Sequence, residues 1–271
     1  ISLKFSMTKI KFEATYNKVG CFIYTDLKTV KKEQIDEIKN LLNNYGVLFF
    51  KNQNLSPSEY INFSSNFGVP AKYPMLKPHN DFKDIYVIER KKTDTGKSFG
   101  EGPHTDSSYL ENPPRFTFLQ AIEVPEEGKG NTLFYNQFLA YEALPKGMKD
   151  KIENLKGIFS SQGKIAQTRE LRMADHGTSG TKEIKSEHKL VQSIEGRKTI
   201  YCSPGHVVGI VNLTSDQQEL ISFLSSHQIK KDFSFSFGWK KGDIALWSNR
   251  SMLHAATTFN GDRKMFRITV Q

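Results

Sequence analysis

The chain of 271 residues carries 38 Lys and Arg against 29 Asp and Glu, a formal net charge of +9, with 37% hydrophobic residues and 20 Phe, 10 Tyr and 2 Trp. A chain of this length buries roughly three quarters of its unfolded surface without disulfides or metals, and the aromatic load excludes disorder, collagen-like and coiled-coil compositions. Two distant cysteines, Cys21 and Cys202, exclude a disulfide scaffold and a cysteine-rich metal site. The longest apolar runs are far too short for a membrane helix. No charged-then-apolar leader opens the sequence, Met7 reads as a natural start after an extension of six residues, and the expected location is the cytoplasm. The positive charge comes from 30 Lys and only 8 Arg. The lysines are scattered, which reads as solvated surface charge and not as a nucleic-acid groove.

In chain order, residues 30–44 place Val30, Ile35, Ile38, Leu41 and Leu42 at helical spacing, ended by Tyr45-Gly46. Residues 47–50 read as a fully buried strand. Ser56 caps a helix with Pro57 in its first turn, running to about Phe67. Residues 85–88 and 115–124 are β-forming, and 137–155 predicts a helix. The stretch 157–188 is polar and aperiodic, so a loop is expected there, acting as a lid insertion. Residues 189–194 and 199–203 flank the Gly196 turn of a hairpin. Residues 214–227 form an amphipathic helix, and 233–239 alternates Phe and Ser with period two. Strands at 244–247 and 264–270 close the chain. The pattern predicts one catalytic domain over 1–271, mainly β with peripheral helices.

The sharpest local feature is His104-Thr105-Asp106. On a strand, residues i and i+2 face one side, so this pair offers an imidazole and a carboxylate to one point. A histidine on a facing strand would complete the two-histidine, one-carboxylate face of non-haem iron chemistry, which leaves three metal positions open. His254 is the candidate. His206, in Ser203-Pro204-Gly205-His206, can line a pocket, while His79, His176, His188 and His227 read as surface residues. Arg263 and Arg267 stand four apart on the last strand. Arginine is seldom buried without an anion, so two guanidinium groups facing one cavity fit a small dicarboxylate or a sulfonate-like acid.

These residues belong to an ordered set: His104-Thr105-Asp106-Ser107-Ser108-Tyr109, Asn112-Pro113-Pro114, Gly128-Lys129-Gly130-Asn131-Thr132, Ala140-Tyr141-Glu142-Ala143-Leu144-Pro145, Gly242-Asp243, Trp247-Ser248-Asn249-Arg250, His254 and Arg263-x-x-x-Arg267. In that set, across about residues 45–269, the chain resembles the Fe(II)/2-oxoglutarate dioxygenases related to taurine dioxygenase and 2,4-dichlorophenoxyacetate dioxygenase. The resemblance implies a double-stranded β-helix (jelly roll) with helices packed outside. It implies Fe(II) held by His104, Asp106 and His254 as the catalytic set, 2-oxoglutarate as cosubstrate on Thr132 and Arg263, and O2 as oxidant. It places Arg267 beside the acid group of the substrate, with a share in cosubstrate binding, and leaves Tyr73, Ser107 and His206 as further substrate contacts. The partner it implies is a small anionic molecule that is hydroxylated with release of succinate and CO2, with no nucleic acid and no membrane. A homo-oligomer is compatible with the sequence.

The departures from those relatives are local. Pro103 stands where an aromatic precedes the first metal histidine, and Ser248 replaces the acid of Trp-Asp-Asn-Arg, which alters a contact behind the ligands. Tyr73 aligns with the sulfonate histidine of taurine dioxygenase and Gly100 with its polar residue near the amine, which points to an acid other than taurine. Two rival readings use the same pocket: a jelly-roll protein that binds a small acid without turnover, and a nucleic-acid demethylating dioxygenase.

Overall fold

The structure, a computed structural model, describes residues 10–73, 76, 78–168 and 182–271. Two sheets carry the architecture. The larger is built from β1 (Lys11–Ala14), β2 (Cys21–Tyr24), β3 (Val47–Phe50), β4 (Tyr86–Arg90), β5 (Phe116–Glu123), β13 (Ile244–Ser248) and β15 (Arg263–Val270), in the order β1-β2-β3-β13-β5-β15-β4. The smaller holds β6 (Thr132–Asn136), β12 (Ser234–Phe237) and β14 (Met252–Ala256), with β6 central.

Alternation along the strands explains how both faces of the larger sheet are covered. Phe49, Leu119, Ala245, Trp247 and Met265 point to one side and meet Phe134 and Phe237 of the smaller sheet. Phe49 and Phe237 stack with centroids 4.3 Å apart. Leu48, Phe50, Phe118, Leu246 and Ile268 point the other way, against α1 (Lys32–Tyr45) and α2 (Pro57–Ser65). Arg263 and Arg267 share the inner face with Met265, which is what aims two cations into the sandwich.

Helix ends follow local chemistry. Ser56 Oγ accepts from the Glu59 N–H while Glu59 Oε2 accepts from the Ser56 N–H, a reciprocal capping box at α2. Gly46 ends α1 at φ +76°, donating its N–H to Leu42 O. The long helix expected over 137–155 is two: α3 (Gln137–Glu142) and α4 (Lys146–Ile152). Pro145 lacks an N–H and biases the residue before it away from helix, so the chain breaks there.

Outside the sandwich, β7 (Lys156–Ser160), β8 (Lys185–Lys189) and β11 (Val207–Ile210) form a small sheet in the order β11-β7-β8, and β9 (Val191–Ile194) pairs with β10 (Arg197–Ile200) through a Glu195-Gly196 turn in which both residues have positive φ. With α5 (Gln217–Gln228) they enclose a second apolar cluster around Phe159, Leu190, Ile200 and Leu224. The expectation of a loop through 157–188 therefore fails at both ends, where Lys156–Ser160 and Lys185–Lys189 pair as strands. Charge-rich Lys-Ser-Glu-His-Lys pairs with one face exposed, so it shows no apolar signal. Residues 169–181, and with them the middle of the expected lid, lie outside the described residues, as do residues 1–9 with the expected extension. No helix among the described residues is long and apolar enough to cross a membrane.

Phe118 is fully buried and meets Phe63 and Phe67 edge-on. Phe118→Ala is expected to cost about 3–5 kcal/mol, read as a lower urea midpoint at unchanged slope. Phe12→Ala on the exposed β1 should stay within about 0.5 kcal/mol.

Candidate active site

His104 and His254 face each other as an isolated antiparallel bridge. The His104 N–H donates to His254 O at 3.0 Å and the His254 N–H donates to His104 O at 2.8 Å. The segment His104–Asp106 is thus no regular strand: one bridge residue is followed by a turn, with Ser107 at φ +49°. The turn, more than strand alternation, brings Asp106 under both rings. His104 Nε2 and His254 Nε2 lie 3.8 and 3.6 Å from Asp106 Oδ1, and the three ligand atoms are within 4.8 Å of one another. His104 Nδ1 is 2.9 Å from Gly102 O. A carbonyl can only accept, so Nδ1 carries the hydrogen and the Nε2 lone pair faces the cluster, as a metal ligand requires.

Behind Asp106 runs a chain of buried donors. Thr117 Oγ1 donates to Asp106 Oδ2 at 2.6 Å and accepts from Asn249 Nδ2 at 2.9 Å, while Asn249 Oδ1 accepts from Trp247 Nε1 at 3.0 Å. Thr105 Oγ1 donates to Asn249 O at 2.6 Å, binding the same motif to the metal segment. The Trp-Ser-Asn-Arg motif therefore supports the carboxylate through Trp247 and Asn249, whereas the Ser248 N–H donates to Gly46 O.

The electrostatics are consistent with a cation site. Burial opposes ionisation of Asp106, but Arg267, His254, His104 and the Thr117 hydroxyl outweigh it and hold the carboxyl well below its usual range. Burial, with His104 and Arg267 beside it, lowers His254 to about 3, so its ring is neutral and can ligate. Arg267 is raised despite burial, chiefly by Asp106, whose Oδ1 is 3.1 Å from its Nη2.

Two adjoining cavities meet at this cluster. The larger, about 420 Å³, is lined by His104, Asp106, His254, Thr132, Arg263 and Arg267 among others. Arg263 and Arg267 are 7% and 4% exposed. Thr132 Oγ1 accepts from Trp239 Nε1 at 3.0 Å. Indole only donates, so the threonine hydrogen remains for another acceptor. Gly130 turns at φ +66°, where a Cβ would crowd Pro125 Cγ at 3.0 Å and stand in ordinary contact with Arg263 Cδ at 3.4 Å. A hydroxyl donor beside a buried guanidinium suits a carboxylate. The smaller cavity, about 270 Å³, shares His104, Asp106 and Arg267 and adds Tyr73, Ser107 and His206. Arg267 lies 4.5 Å over the Tyr73 ring and borders both.

Every candidate named from the sequence thus falls in one connected site. Phe99 and Ile165, which also line the smaller cavity, Ser203, whose Oγ accepts from the Thr105 N–H at 3.0 Å, and Thr117 are not legible in the sequence: a threonine between phenylalanines in a β run reads only as a strand former. His227 is buried, its Nε2 2.7 Å from Ala140 O, and His188 is half-buried, its Nε2 2.9 Å from both Ser186 Oγ and Leu110 O; neither is the surface residue expected. His79 packs on Phe266, and His176 lies outside the described residues.

Residues 12–269 match the profile of the family "Taurine catabolism dioxygenase TauD, TfdA family". The chain is 26% identical over 258 residues to pentalenolactone F synthase of Streptomyces arenae, covering 88% of this chain and 86% of that one. It is 24% identical over 245 residues to the alpha-ketoglutarate-dependent 2,4-dichlorophenoxyacetate dioxygenase of Cupriavidus pinatubonensis, covering 84% of each. The crystal structure of a taurine dioxygenase from Burkholderia xenovorans superposes with a TM-score of 0.80 at 25% identity, covering 96% of this chain and 90% of that one. The two facing sheets with outer helices are the jelly roll expected from the sequence.

Thr117→Val removes the hydroxyl that donates to Asp106 Oδ2 at nearly constant volume. Fe(II) affinity is expected to fall about 10–100-fold in an anaerobic metal titration, with Thr117→Ser restoring it. In the metal-free protein the pH dependence has a definite sign. The folded value of His254 lies below the ordinary 6.5, so between about 3 and 6.5 the unfolded chain binds a proton that the folded chain refuses. His254 therefore costs no stability above pH 6.5 and up to about 1.4 kcal/mol per pH unit below it. Urea unfolding between pH 7.5 and 5 reads this slope, and His254→Gln should reduce it.

Proposed function

The chain belongs to the taurine catabolism dioxygenase TauD, TfdA family, and on that footing we propose that it hydroxylates a small monoanionic organic acid at the cluster of His104, Asp106 and His254. It is a 2-oxoglutarate-dependent dioxygenase, an oxidoreductase that uses Fe(II) and O2. The observation that carries the residue assignment is the convergence of two imidazole Nε2 atoms and one carboxylate oxygen at the border of both cavities. When bound, Fe(II) with 2-oxoglutarate and O2 supplies the oxidising power, 2-oxoglutarate leaving as succinate and CO2 while one oxygen atom enters a substrate C–H bond.

The chain's own residues bind and orient. Arg263 offers a bidentate fork and Thr132 one hydroxyl to the far carboxylate of 2-oxoglutarate. Arg267, at the border of the two cavities, anchors the acid of the substrate, with Tyr73, Ser107 and His206 around it. The charge balance supports one negative charge on that substrate. Asp106, Arg263 and Arg267 are the aspartate and arginines lining the cavities. With a divalent cation the site carries three positive charges; dianionic 2-oxoglutarate leaves one, which a monoanion neutralises. Relatives named for taurine and for 2,4-dichlorophenoxyacetate accord with an acid anchor, one a sulfonate and one a carboxylate.

The purified protein should consume 2-oxoglutarate only with Fe(II) and O2, and His104→Ala or His254→Ala should abolish turnover and metal binding together. Full turnover in either variant would remove the ligand assignment. Arg263→Ala should weaken 2-oxoglutarate binding by about 2–5 kcal/mol. Arg267→Ala should leave substrate-free 2-oxoglutarate decay near its original rate and raise the KM for acids; the opposite pattern reverses the two roles.

A further inference from the structure

Outside the sandwich, the layer of β8, β9 and β10 carries a further cavity, open to solvent and about 810 Å³, which shares no lining residue with the two at the metal cluster. Its charged lining is Glu153 just beyond α4, Lys189 at the end of β8, Lys198 on β10 and Arg250 in the turn between β13 and β14. Pairing of β9 with β10 sets Lys198 opposite Ser193, and Arg250 reaches the same strand. Its Nε donates to Gln192 Oε1 at 2.9 Å and its Nη2 to Ser193 O at 3.0 Å.

Those bonds fix the guanidinium without neutralising it. Both acceptors are uncharged, and neither Arg250 nor Lys189 has a carboxylate within ion-pair distance among the described residues. Burial first, and the charge of Arg115 second, push the Arg250 pKa down, so its positive charge is held where its surroundings oppose it. A half-buried arginine with neutral partners and unused N–H groups is short of an anion. Glu153 does not supply one. Its Oε1 lies 2.6 Å from Lys198 Nζ, and its Oε2 accepts from the Tyr141 hydroxyl at 3.4 Å. His188, the other titratable residue of the lining, is engaged with Leu110 O at 2.9 Å. Across the lining Glu153 cancels Lys198, and two positive charges remain, on Lys189 and Arg250.

We propose that this cavity is a second ligand site, separate from the cluster of His104, Asp106 and His254, and that it takes a small dianion whose charge lies on oxygen, a phosphate group or a dicarboxylate. Two excess charges match a dianion and leave a monoanion one short. Arg250 and Lys189 offer charged N–H donors to separate oxygens of the ligand.

The test is calorimetry on the full chain loaded with Fe(II) and 2-oxoglutarate without oxygen, at constant ionic strength set with chloride. Methyl phosphate and succinate are the dianionic probes, at pH 7.5, above the second phosphate pKa of about 6. Acetate and methanesulfonate are the monoanionic ones. At least one dianion should bind saturably and about 10-fold or more tightly than either monoanion, and which one does so separates a phosphate from a dicarboxylate ligand. Arg250→Met should weaken that binding about 10-fold or more. Lys189 is exposed, so Lys189→Glu reverses a charge without touching the core and should abolish it. Arg263→Ala and Arg267→Ala, which alter only the cavities at the metal cluster, should leave it unchanged. No saturable dianion binding, equal affinity for the monoanions, binding that survives Lys189→Glu, or binding lost in Arg263→Ala or Arg267→Ala overturns the proposal.

Discussion

Asp106 is an ionised carboxylate with 4% of its surface exposed, and the metal end of the sandwich is arranged to keep it so. Taking a carboxylate out of water costs several kcal/mol even after relaxation, and no single neighbour offsets that. Arg267 contributes charge, Thr117 a short hydrogen bond, and the His254 ring, kept neutral chiefly by burial, stands by. Each of these is fixed by something else. Thr117 is held by Asn249, which is held by Trp247 and Thr105, and the histidines hold each other through paired backbone bonds. A divalent cation entering such a site meets a carboxylate that is already deprotonated and, at His104, a lone pair already directed by the Nδ1 bond to Gly102 O, so less reorganisation is left to oppose binding.

The same constraint explains why the cluster sits at a junction. One histidine comes from β14 in the smaller sheet, Asp106 leans on Thr117 in β5, and Arg267 belongs to β15 of the larger sheet. Packing between the sheets fixes their separation through rings such as Phe134, which touches Phe49, Trp247 and His254. Stability of the core and geometry of the site are therefore one problem. Loss of volume between the sheets shifts ligands as well as lowering the unfolding free energy.

Much of this was legible in the sequence because it follows period and charge. Apolar runs and alternation point to β3, β4, β5, β12, β13 and β15, while β1, β2, β6 and β14 are not among the strands expected in chain order, and Arg263 and Arg267 stand out as two scarce guanidinium groups in an apolar strand. His104, Asp106 and His254 came from side-chain chemistry and order along the chain. What escaped has physical reasons. Pro145 splits a helix whose apolar spacing looks continuous on either side. Charged residues on a half-exposed strand, as in Lys185–Lys189, give no hydrophobic signal for pairing. Thr117 acts through hydrogen bonds to residues 11 and 132 positions away and Ser203 through one to a residue 98 positions away, and no local pattern encodes partners that far off. The geometry at Asp106 was misjudged in kind: a turn, with strain at Ser107, replaces the strand that spacing suggested.

Arg267 is the residue on which the two cavities depend, and its chemistry explains how one side chain can serve both. Its Nη2 lies 3.1 Å from Asp106 Oδ1 while the guanidinium carbon sits 4.5 Å from the centre of the Tyr73 ring. A guanidinium has five N–H groups in a fixed fork, so engaging one edge with Asp106 leaves other edges for a second anion. A lysine could not divide itself in this way, being a single charge on a flexible stem. Binding an acid at another edge need not break the contact with Asp106. On the proposed roles, the Asp106 carboxylate and the acid of the substrate are then held at a fixed separation by one rigid group. Under that assignment, placement of the substrate relative to the metal follows from the position of Arg267 on the last strand.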